Sequence, residues 1–371
     1  MNLKLLTASL FLIVSHPLVA KASNFTIENK ALSGAMTPLS SDDLCDVASG
    51  TINYLDKGKA YDGHANHAGI SQQFGGDLAR VKATLAFICK VNQQDKKAGR
   101  QSRLHNINFI NRHFEMVRWL PDQQQVAKFS HQKPLLQNIP DGHLLLTKYY
   151  IKKAKGSATQ SESTPHALYQ IPHDEASLTL EQADAKKDHI TRYQYTKQQV
   201  LSGVLDKKEL AEPMVWLSRS DLEDTLMQGT VMIEDAAGNP KHFFNVHRNN
   251  GIAYDRNLKK EQQGRYWYFK KTQSVLGYGK DASYKIPIKP LVTVAGDLAH
   301  LGLGKLIMLS HNNQHRLVVL ADTGGAFENN QYQLDYLGGY FYNWGDYINT
   351  YRHFPDYFEA RILLLKEEAS Q

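Results

Sequence analysis

The chain has 371 residues, of which 42% are hydrophobic and 22% are charged, and its 43 Lys and Arg residues exceed its 37 Asp and Glu residues by six. This length suffices for a large buried core, and the composition excludes a collagen, a disordered tail and a disulfide-rich scaffold. The positive excess is small and spread along the chain, so it permits an anionic partner without indicating nucleic acid.

Residues 1–22 are typical of a secretory signal peptide. Lys4 supplies a positive charge before the mainly apolar run 5–14, and Ala20-Lys21-Ala22 has the small-x-small pattern of a cleavage site. The alternative is a membrane anchor, but the run is shorter than the roughly 20 residues that a span needs. We therefore expect an exported protein without a transmembrane span. It would be secreted or periplasmic, with or without association with the outer membrane.

The next part of the chain has helical character. Residues 23–41 are interpreted as a leader, and residues 42–139 as a helical N-terminal part. The run Ser40-Ser41-Asp42-Asp43 and Asp77 consist of residue types that cap helix N-termini, and apolar residues follow each of them at helical spacing. The predicted helices cover about 42–55, 77–91 and 107–119, with a polar loop over 94–101.

Cys45 and Cys89 are the two cysteines of the chain, and they lie in the first and second predicted helices. Export places them in an oxidising compartment, where disulfides persist. We expect a disulfide that joins these two helices. The alternative is a pair of free, buried thiols. The sequence offers no His or Asn arrangement that would make either residue a catalytic nucleophile.

Strand patterns dominate the rest of the chain. Short runs rich in β-branched and aromatic residues alternate with turn signals, which is typical of a barrel or sandwich. The predicted strands are 143–152, 230–233, 242–246, 266–270, 291–294, 305–310, 317–321, 333–337 and 360–365, with turns at 235–239 and 311–314. The expected fold class is mainly β with a helical N-terminal part.

Three aspartates lie at strand ends beside glycines. Asp322 ends one strand and precedes Gly324 and Gly325, Asp335 lies on the next strand, and Asp297 follows Gly296 upstream. Glycine lets the backbone approach a ligand closely, and a carboxyl group with a raised pKa can act as a general acid. The pattern is compatible with an acid-catalysed site, but taken alone it is a weak signal and indicates turn structure first. Because Asp also favours turns, the alternative is a purely structural role.

These residues resemble the three-aspartate (3D) domain, a double-psi β-barrel. The wider chain is similar to the membrane-bound lytic murein transglycosylase A family. The matching segments, in chain order, are Thr147-Lys148-Tyr149-Tyr150, Ala167-Leu168-Tyr169, Tyr195-Thr196 through Leu205, Met227-Gln228-Gly229-Thr230, Asn249-Asn250-Gly251-Ile252-Ala253-Tyr254 and Tyr266-Trp267-Tyr268-Phe269. The resemblance as a whole extends over roughly residues 42–366.

The resemblance implies a discontinuous barrel. We expect the double-psi β-barrel to comprise residues 140–150 and 264–366. A smaller β-rich domain, residues 151–263, would be inserted between these two segments. Short helices are predicted within the insert at 198–205 and 218–227. The glycan would bind in the cleft between the barrel and the insert.

The resemblance also implies an activity and its residues. A lytic transglycosylase cleaves the β-1,4 bond between N-acetylmuramic acid and N-acetylglucosamine without water and leaves a 1,6-anhydromuramyl end. Asp335 matches the acid that then acts as base, and Asp322 and Asp297 match the other two aspartates. The implied substrate-binding residues are Tyr149, Tyr150, Gln228, Gly229, Gly324, Gly325 and Tyr336. No cofactor or metal is expected, and the expected partner of the monomer is a peptidoglycan glycan strand.

Two other functions stay open at this point. A glycoside hydrolase on the same barrel would use two aspartates and a water molecule. A non-catalytic module would bind the cell wall without cleaving it. The chain departs from the family where Lys148 and Val231 replace glycines. It also departs after Gly339, where the aromatic run 340–344 replaces a Gly/Ala-rich stretch. Those aromatics, and Tyr336 before them, would either stack on sugars or pack the barrel.

Overall fold

The computed structural model describes residues 25–131, 133–234, 238–255, 257–280 and 282–367. The signal peptide predicted at 1–22 lies outside the described residues, as do positions 235–237 of the predicted turn at 235–239. None of the helices in the described ranges is both long enough and apolar enough to cross a membrane.

The strands of the described chain are β1 (Phe25–Glu28), β2 (Ala35–Met36), β3 (Phe114–Trp119), β4 (Leu144–Ala154), β5 (His166–Tyr169), β6 (Pro213–Leu217), β7 (Thr230–Glu234), β8 (Pro240–Asn249), β9 (Trp267–Thr272), β10 (Thr293–Ala295), β11 (Leu306–His311), β12 (Gln314–Asp322), β13 (Gln333–Phe341) and β14 (Tyr357–Leu365). Its α-helices are α1 (Ser41–Leu55), α2 (Leu78–Lys97), α3 (Ile107–His113), α4 (Gln123–Phe129), α5 (Leu180–Asp184), α6 (Thr191–Gln194), α7 (Lys197–Leu201), α8 (Val204–Lys207), α9 (Arg219–Gln228), α10 (Leu298–Leu301) and α11 (Trp344–Tyr351). Every strand predicted from the sequence coincides with an observed strand.

Six strands close into a barrel in the order β4, β13, β10, β12, β11 and β14. The pairs β4–β13 and β10–β12 are parallel, the other neighbours are antiparallel, and β14 pairs with β4 to complete the ring. The apolar runs 306–309 and 317–321 are fully buried, as strands covered on both faces must be. The ring takes β4 from before the inserted segment and its other five strands from after it.

The turn predicted at 311–314 is confirmed as a two-residue hairpin. His311 pairs with Gln314, and the two residues between them, Asn312 and Asn313, have φ angles of 49° and 58°. Asn tolerates this left-handed backbone better than most residues, which is why the Asn-Asn pair favours a tight turn here.

The two long helices of the N-terminal part begin where their caps predict. Ser40 and Asp77 accept hydrogen bonds from backbone N–H groups in the first turns of α1 and α2. A disulfide joins Cys45 of α1 to Cys89 of α2, with Cα atoms 4.9 Å apart. The loop predicted over 94–101 is wrong in its first half, because α2 continues to Lys97. Its buried Asp95 pairs with Arg100 and Arg103 just beyond the helix end.

The helix predicted over 107–119 is also wrong in its second half. Only α3 is helical there, and Phe114–Trp119 form strand β3. This strand pairs with β14 on one side and with β1 on the other. The conformation of this strand is decided by backbone hydrogen bonds to its two neighbours. The spacing of apolar residues within a six-residue segment carries no information about such pairing with distant strands.

The segment inserted in the barrel has its own core. Strand β4 leaves the barrel and pairs with β7, which continues the sheet into β8 and β9. A second apolar core, separate from that of the barrel, gathers buried residues from positions 154–269. The two-stranded sheet β5–β6 and the helices α5 to α9 also belong to this segment, so it contains more helix than the β-rich domain that the sequence predicts.

Candidate functional site

Two of the three predicted aspartates flank one short strand. Ala295 of β10 is in register with Asp322 of β12 on one side and with Asp335 of β13 on the other. The antiparallel and parallel ladders of the barrel therefore bring two carboxyl groups to the same end of β10. Both side chains are partly buried.

Asp322 accepts two hydrogen bonds. The Tyr149 hydroxyl donates to its Oδ2 atom over 2.8 Å, and the backbone N–H of Thr323 donates to its Oδ1 atom over 2.9 Å. Burial raises the pKa of Asp322 to about 6, although these two donors and the Lys285 ammonium favour the charged form and lower it.

Asp335 is held in a less polar setting. Its Oδ1 atom is buried and has no hydrogen-bond partner among the described residues. Its pKa is raised to about 7, mainly by burial and in part by the Asp322 carboxylate, against the lowering effects of the Thr147 hydroxyl and the Lys148 ammonium. A carboxyl group with this pKa keeps a large protonated fraction near neutral pH, as a general acid requires.

A cavity of about 230 Å³ opens beside Asp322, between the barrel and the inserted segment. It contains five of the residues that the sequence assigns to the site. These are Tyr149, Tyr150, Gln228, Gly229 and Asp322. Asp335 is not among the residues that line the cavity, although it lies only one strand away from Asp322, across β10.

Gly229 shapes the wall of this cavity. It ends α9 with a φ angle of 76°, and a Cβ atom placed on it would lie 2.4 Å from the Trp267 ring. Both the left-handed backbone and the close approach of the ring require glycine at this position. Gln228, the last residue of α9, lines the same cavity as Tyr149 and Tyr150.

The third aspartate does not line the cavity. Asp297 is buried and caps α10, where its carboxylate accepts from the backbone N–H of His300 and pairs with the His300 ring at 2.7 Å. The structure thus gives Asp297 a structural role at the helix end. Gly324 and Gly325 are exposed in the loop that follows Asp322, and they do not line the cavity either.

Tyr336 lies in the core and not at the cavity. Only 1% of it is exposed, and its hydroxyl donates to the Leu291 carbonyl over 3.0 Å. Successive side chains of a strand point to opposite faces, so Tyr336 faces away from Asp335. This burial leaves no surface for a sugar ring, and Tyr336 is not part of the site described below.

The cavity also contains residues that sequence reasoning missed. Lys285 and Asp322 are its charged lining residues, and Asn245 and Trp267 form part of its wall. Asn245 and Trp267 come from the paired strands β8 and β9, and Lys285 from the chain between β9 and β10. The Arg265 guanidinium lies over the half-buried Trp267 ring, a contact that becomes visible only in the folded structure.

No protein-family sequence model matches the chain, and no curated protein sequence matches it. Solved structures do match. MltA from Neisseria gonorrhoeae superposes with a TM-score of 0.56 at 14% identity, over 94% of this chain and 93% of that chain. A membrane-bound lytic murein transglycosylase from Agrobacterium tumefaciens gives 0.53 at 15% identity, over 88% and 94%. E. coli MltA with bound chitohexaose gives 0.51 at 16% identity, over 93% and 95%.

These comparisons confirm the predicted fold. The chain has the fold of the MltA lytic transglycosylases over about nine-tenths of its length. At identities of 14–16%, a shared fold does not by itself carry an activity, because function resides in the site and not in the fold.

Proposed function

We propose that this protein is a peptidoglycan lytic transglycosylase with Asp335 as its acid. The observation that carries the proposal is the pair of partly buried aspartates, Asp335 and Asp322, whose pKa values are raised to about 7 and about 6. Asp322 lines the cavity, and Asp335 lies across β10 from it. A pair of carboxyl groups in different surroundings is the arrangement that glycosidic bond cleavage uses. The fold shared with MltA adds support to this assignment.

In the proposed reaction, protonated Asp335 gives its proton to the glycosidic oxygen as the bond from that oxygen to C1 of the muramyl sugar breaks. An oxocarbenium-like centre develops at C1. The C6 hydroxyl of the same sugar then bonds to C1, and its proton passes to the Asp335 carboxylate. The products are a new 4-hydroxyl on the leaving sugar and a 1,6-anhydromuramyl end, and the enzyme regains its proton. No water is consumed.

Asp322 supports this reaction by its charge. The hydrogen bonds from Tyr149 and Thr323 stabilise its carboxylate. A carboxylate at this position raises the pKa of Asp335 and stabilises the positive charge that develops at C1. Lys285 adds the complementary charge at the cavity, where the lactyl and peptide carboxylates of peptidoglycan would bind.

The competing hydrolase uses the same two aspartates differently. Asp322 would activate a water molecule, and the product would carry a free reducing end. Asp322 lines the cavity directly and has a raised pKa, so this second candidate rests on a specific observation. The two hydrogen bonds that lower its pKa favour a carboxylate that stays charged, which suits a stabiliser as well as a base.

Mass spectrometry of digested peptidoglycan separates these candidates. Anhydromuramyl ends support the lyase, and reducing ends support the hydrolase. Peptidoglycan that stays uncleaved would refute both and favour a non-catalytic wall-binding module. Asp335→Asn and Asp322→Asn then identify the acid. We expect Asp335→Asn to lose at least about a hundredfold in rate, as loss of general acid catalysis does, and Asp322→Asn to lose less. The reverse order would make Asp322 the acid.

We further propose that the protein is exported and works as a monomer on glycan strands. The barrel would comprise residues 140–150 and 264–366, the insert residues 151–263, and the helical part residues 42–139. N-terminal sequencing of the protein from cell fractions tests the export and the cleavage after Ala22. A full-length N-terminus recovered from the cytoplasmic fraction would contradict both.

A further inference from the structure

Helix α11 follows the aromatic end of β13 and carries an unusually exposed tryptophan. Trp344, its first residue, is 63% exposed, and Ile348, one turn further along, is 42% exposed. Tyr347 and Tyr351 are the residues that pack this helix against the barrel. The helix therefore does not need the Trp344 ring for its own attachment, and a large apolar side chain left in water often marks a binding surface.

Helix α11 is fixed to the strands that hold the proposed acid. The Tyr347 hydroxyl donates to the carbonyl of Lys148 over 2.6 Å, and the Tyr351 hydroxyl donates to the carbonyl of Gly338 over 2.6 Å. Lys148 follows Thr147, the residue in register with Asp335. The hydrogen bonds from α11 to β4 and β13 thus fix the position of Trp344 relative to the site.

A row of three rings leads from the cavity to the surface. Tyr150 belongs to the cavity lining, and its ring centroid is 4.9 Å from that of Tyr347. The Tyr347 ring is in turn 5.1 Å from the Trp344 ring. The first two rings are buried and the third is open to solvent. The row places an exposed aromatic face two ring contacts from the cavity wall.

We propose that Trp344 stacks on a sugar ring of the glycan strand outside the cavity and so makes binding depend on strand length. The class of ligand rests on the proposed function. A pyranose ring presents a face of C–H groups that suits an aromatic surface, and indole offers the largest such surface among side chains, with an N–H donor for a sugar hydroxyl. The occupant is one glycan strand that continues out of the proposed catalytic site.

Glycan binding by an Asp335→Asn protein tests this inference without turnover. We would titrate this protein with chitohexaose and with chitotriose in a calorimeter, with and without Trp344→Ala. We expect Trp344→Ala to weaken chitohexaose binding about tenfold, in the range of an aromatic anchor lost from an interface, and to leave chitotriose binding unchanged. Trp344→Phe should recover most of the loss.

Ile348→Ala is the matched control, because it removes exposed apolar surface from the same helix without an aromatic ring. Equal chitohexaose affinity with and without Trp344 would overturn the inference, and so would a protein that binds neither oligomer. A selective loss with chitohexaose, combined with a wild-type protein that cleaves nothing, would support the inference and refute the proposed activity.

Discussion

Asp322 and Asp335 are in register with the same residue, Ala295, from the two strands that flank β10. Their carboxyl groups therefore titrate in each other's field, and the pair, more than either residue alone, sets the pH response of the site. Asp322 raises the pKa of Asp335, and burial raises both pKa values.

The pH dependence of cleavage should follow from this pair. An acid with a pKa of about 7 loses its proton as the pH rises, so the rate should fall above about pH 7. Lys148→Met removes a positive charge that lowers the pKa of Asp335. It should therefore move the falling limb, the high-pH part of the profile where the rate declines, to higher pH by up to about one pH unit. Lys148→Arg keeps the charge and should leave the limb in place. Initial rates across the pH range decide, and equal limbs in Lys148→Met and wild type would contradict the prediction.

Asp335→Asn should stabilise the protein at neutral pH. The pKa of Asp335 is about 7 in the folded state and about 4 when unfolded, so the unfolded chain binds fewer protons between these values and folding stability falls as the pH rises. Asparagine does not ionise, so the variant avoids this loss of folding stability. We expect a gain of about 1–3 kcal/mol at pH values above 7 and none below about pH 4. Urea unfolding at both ends of this range measures it, and an equal gain at both would disprove the link to ionisation.

Tyr149→Phe removes the donor that holds Asp322 in its charged form. The pKa of Asp322 should then rise above about 6, and Asp335 should lose part of the repulsion that keeps it protonated. We expect the falling limb of the rate profile to move to lower pH. Tyr351→Phe removes a hydroxyl bonded to a backbone carbonyl and should leave the limb where it is. A Tyr149→Phe profile identical to that of wild type would show that Asp322 does not tune the acid.

Gly229→Ala should destabilise the fold and deform the cavity. Its φ angle of 76° costs about 1–2 kcal/mol with a side chain, and the added methyl group would overlap the Trp267 ring and cost about 1–3 kcal/mol more. Gly99→Ala is the matched control, because its φ of 63° is also left-handed but no atom lies within 4 Å of the added group. Denaturation of both variants isolates the clash, and equal losses would mean that Trp267 moves aside freely.

Reduction of the Cys45–Cys89 disulfide should lower stability without changing the chemistry. The two cysteines are 44 residues apart, and freeing that loop in the unfolded chain costs about 4 kcal/mol on the chain-entropy estimate. The Tm should fall on treatment with dithiothreitol, and the rate at a permissive temperature should stay constant. The Cys45→Ala, Cys89→Ala double variant should show the lower Tm without reductant. An unchanged Tm in both would contradict the prediction.

The sequence predicts much of the barrel, because its strands are buried apolar runs bounded by turn residues. Asn312 and Asn313 are visible as a turn for the same local reason. Strand β3 is missed since its conformation depends on β1 and β14, whose pairing no local pattern reveals.

The candidate site is predictable only in part. Tyr149, Gln228 and Asp322 meet at the cavity as the resemblance implies. Tyr336 could have been excluded from the sequence, because neighbours on a strand face opposite ways and Asp335 already occupies the other face. Lys285 and Asn245 could not have been found from the sequence, because it is the course of the folded chain around the insert that brings them to the cavity.

Strand β4 finally bears on how the protein can move. It is continuous, with partners on β13 up to Lys152 and on β7 from Lys152 to Ala154. At the junction, the buried Lys152 ammonium pairs with Asp221 and Asp224 of α9. Strand β4 thus runs as one continuous strand from the barrel into the inserted segment, so we expect the two to move together. For the proposed activity, this predicts that turnover is limited by sliding and release of the glycan strand more than by domain closure.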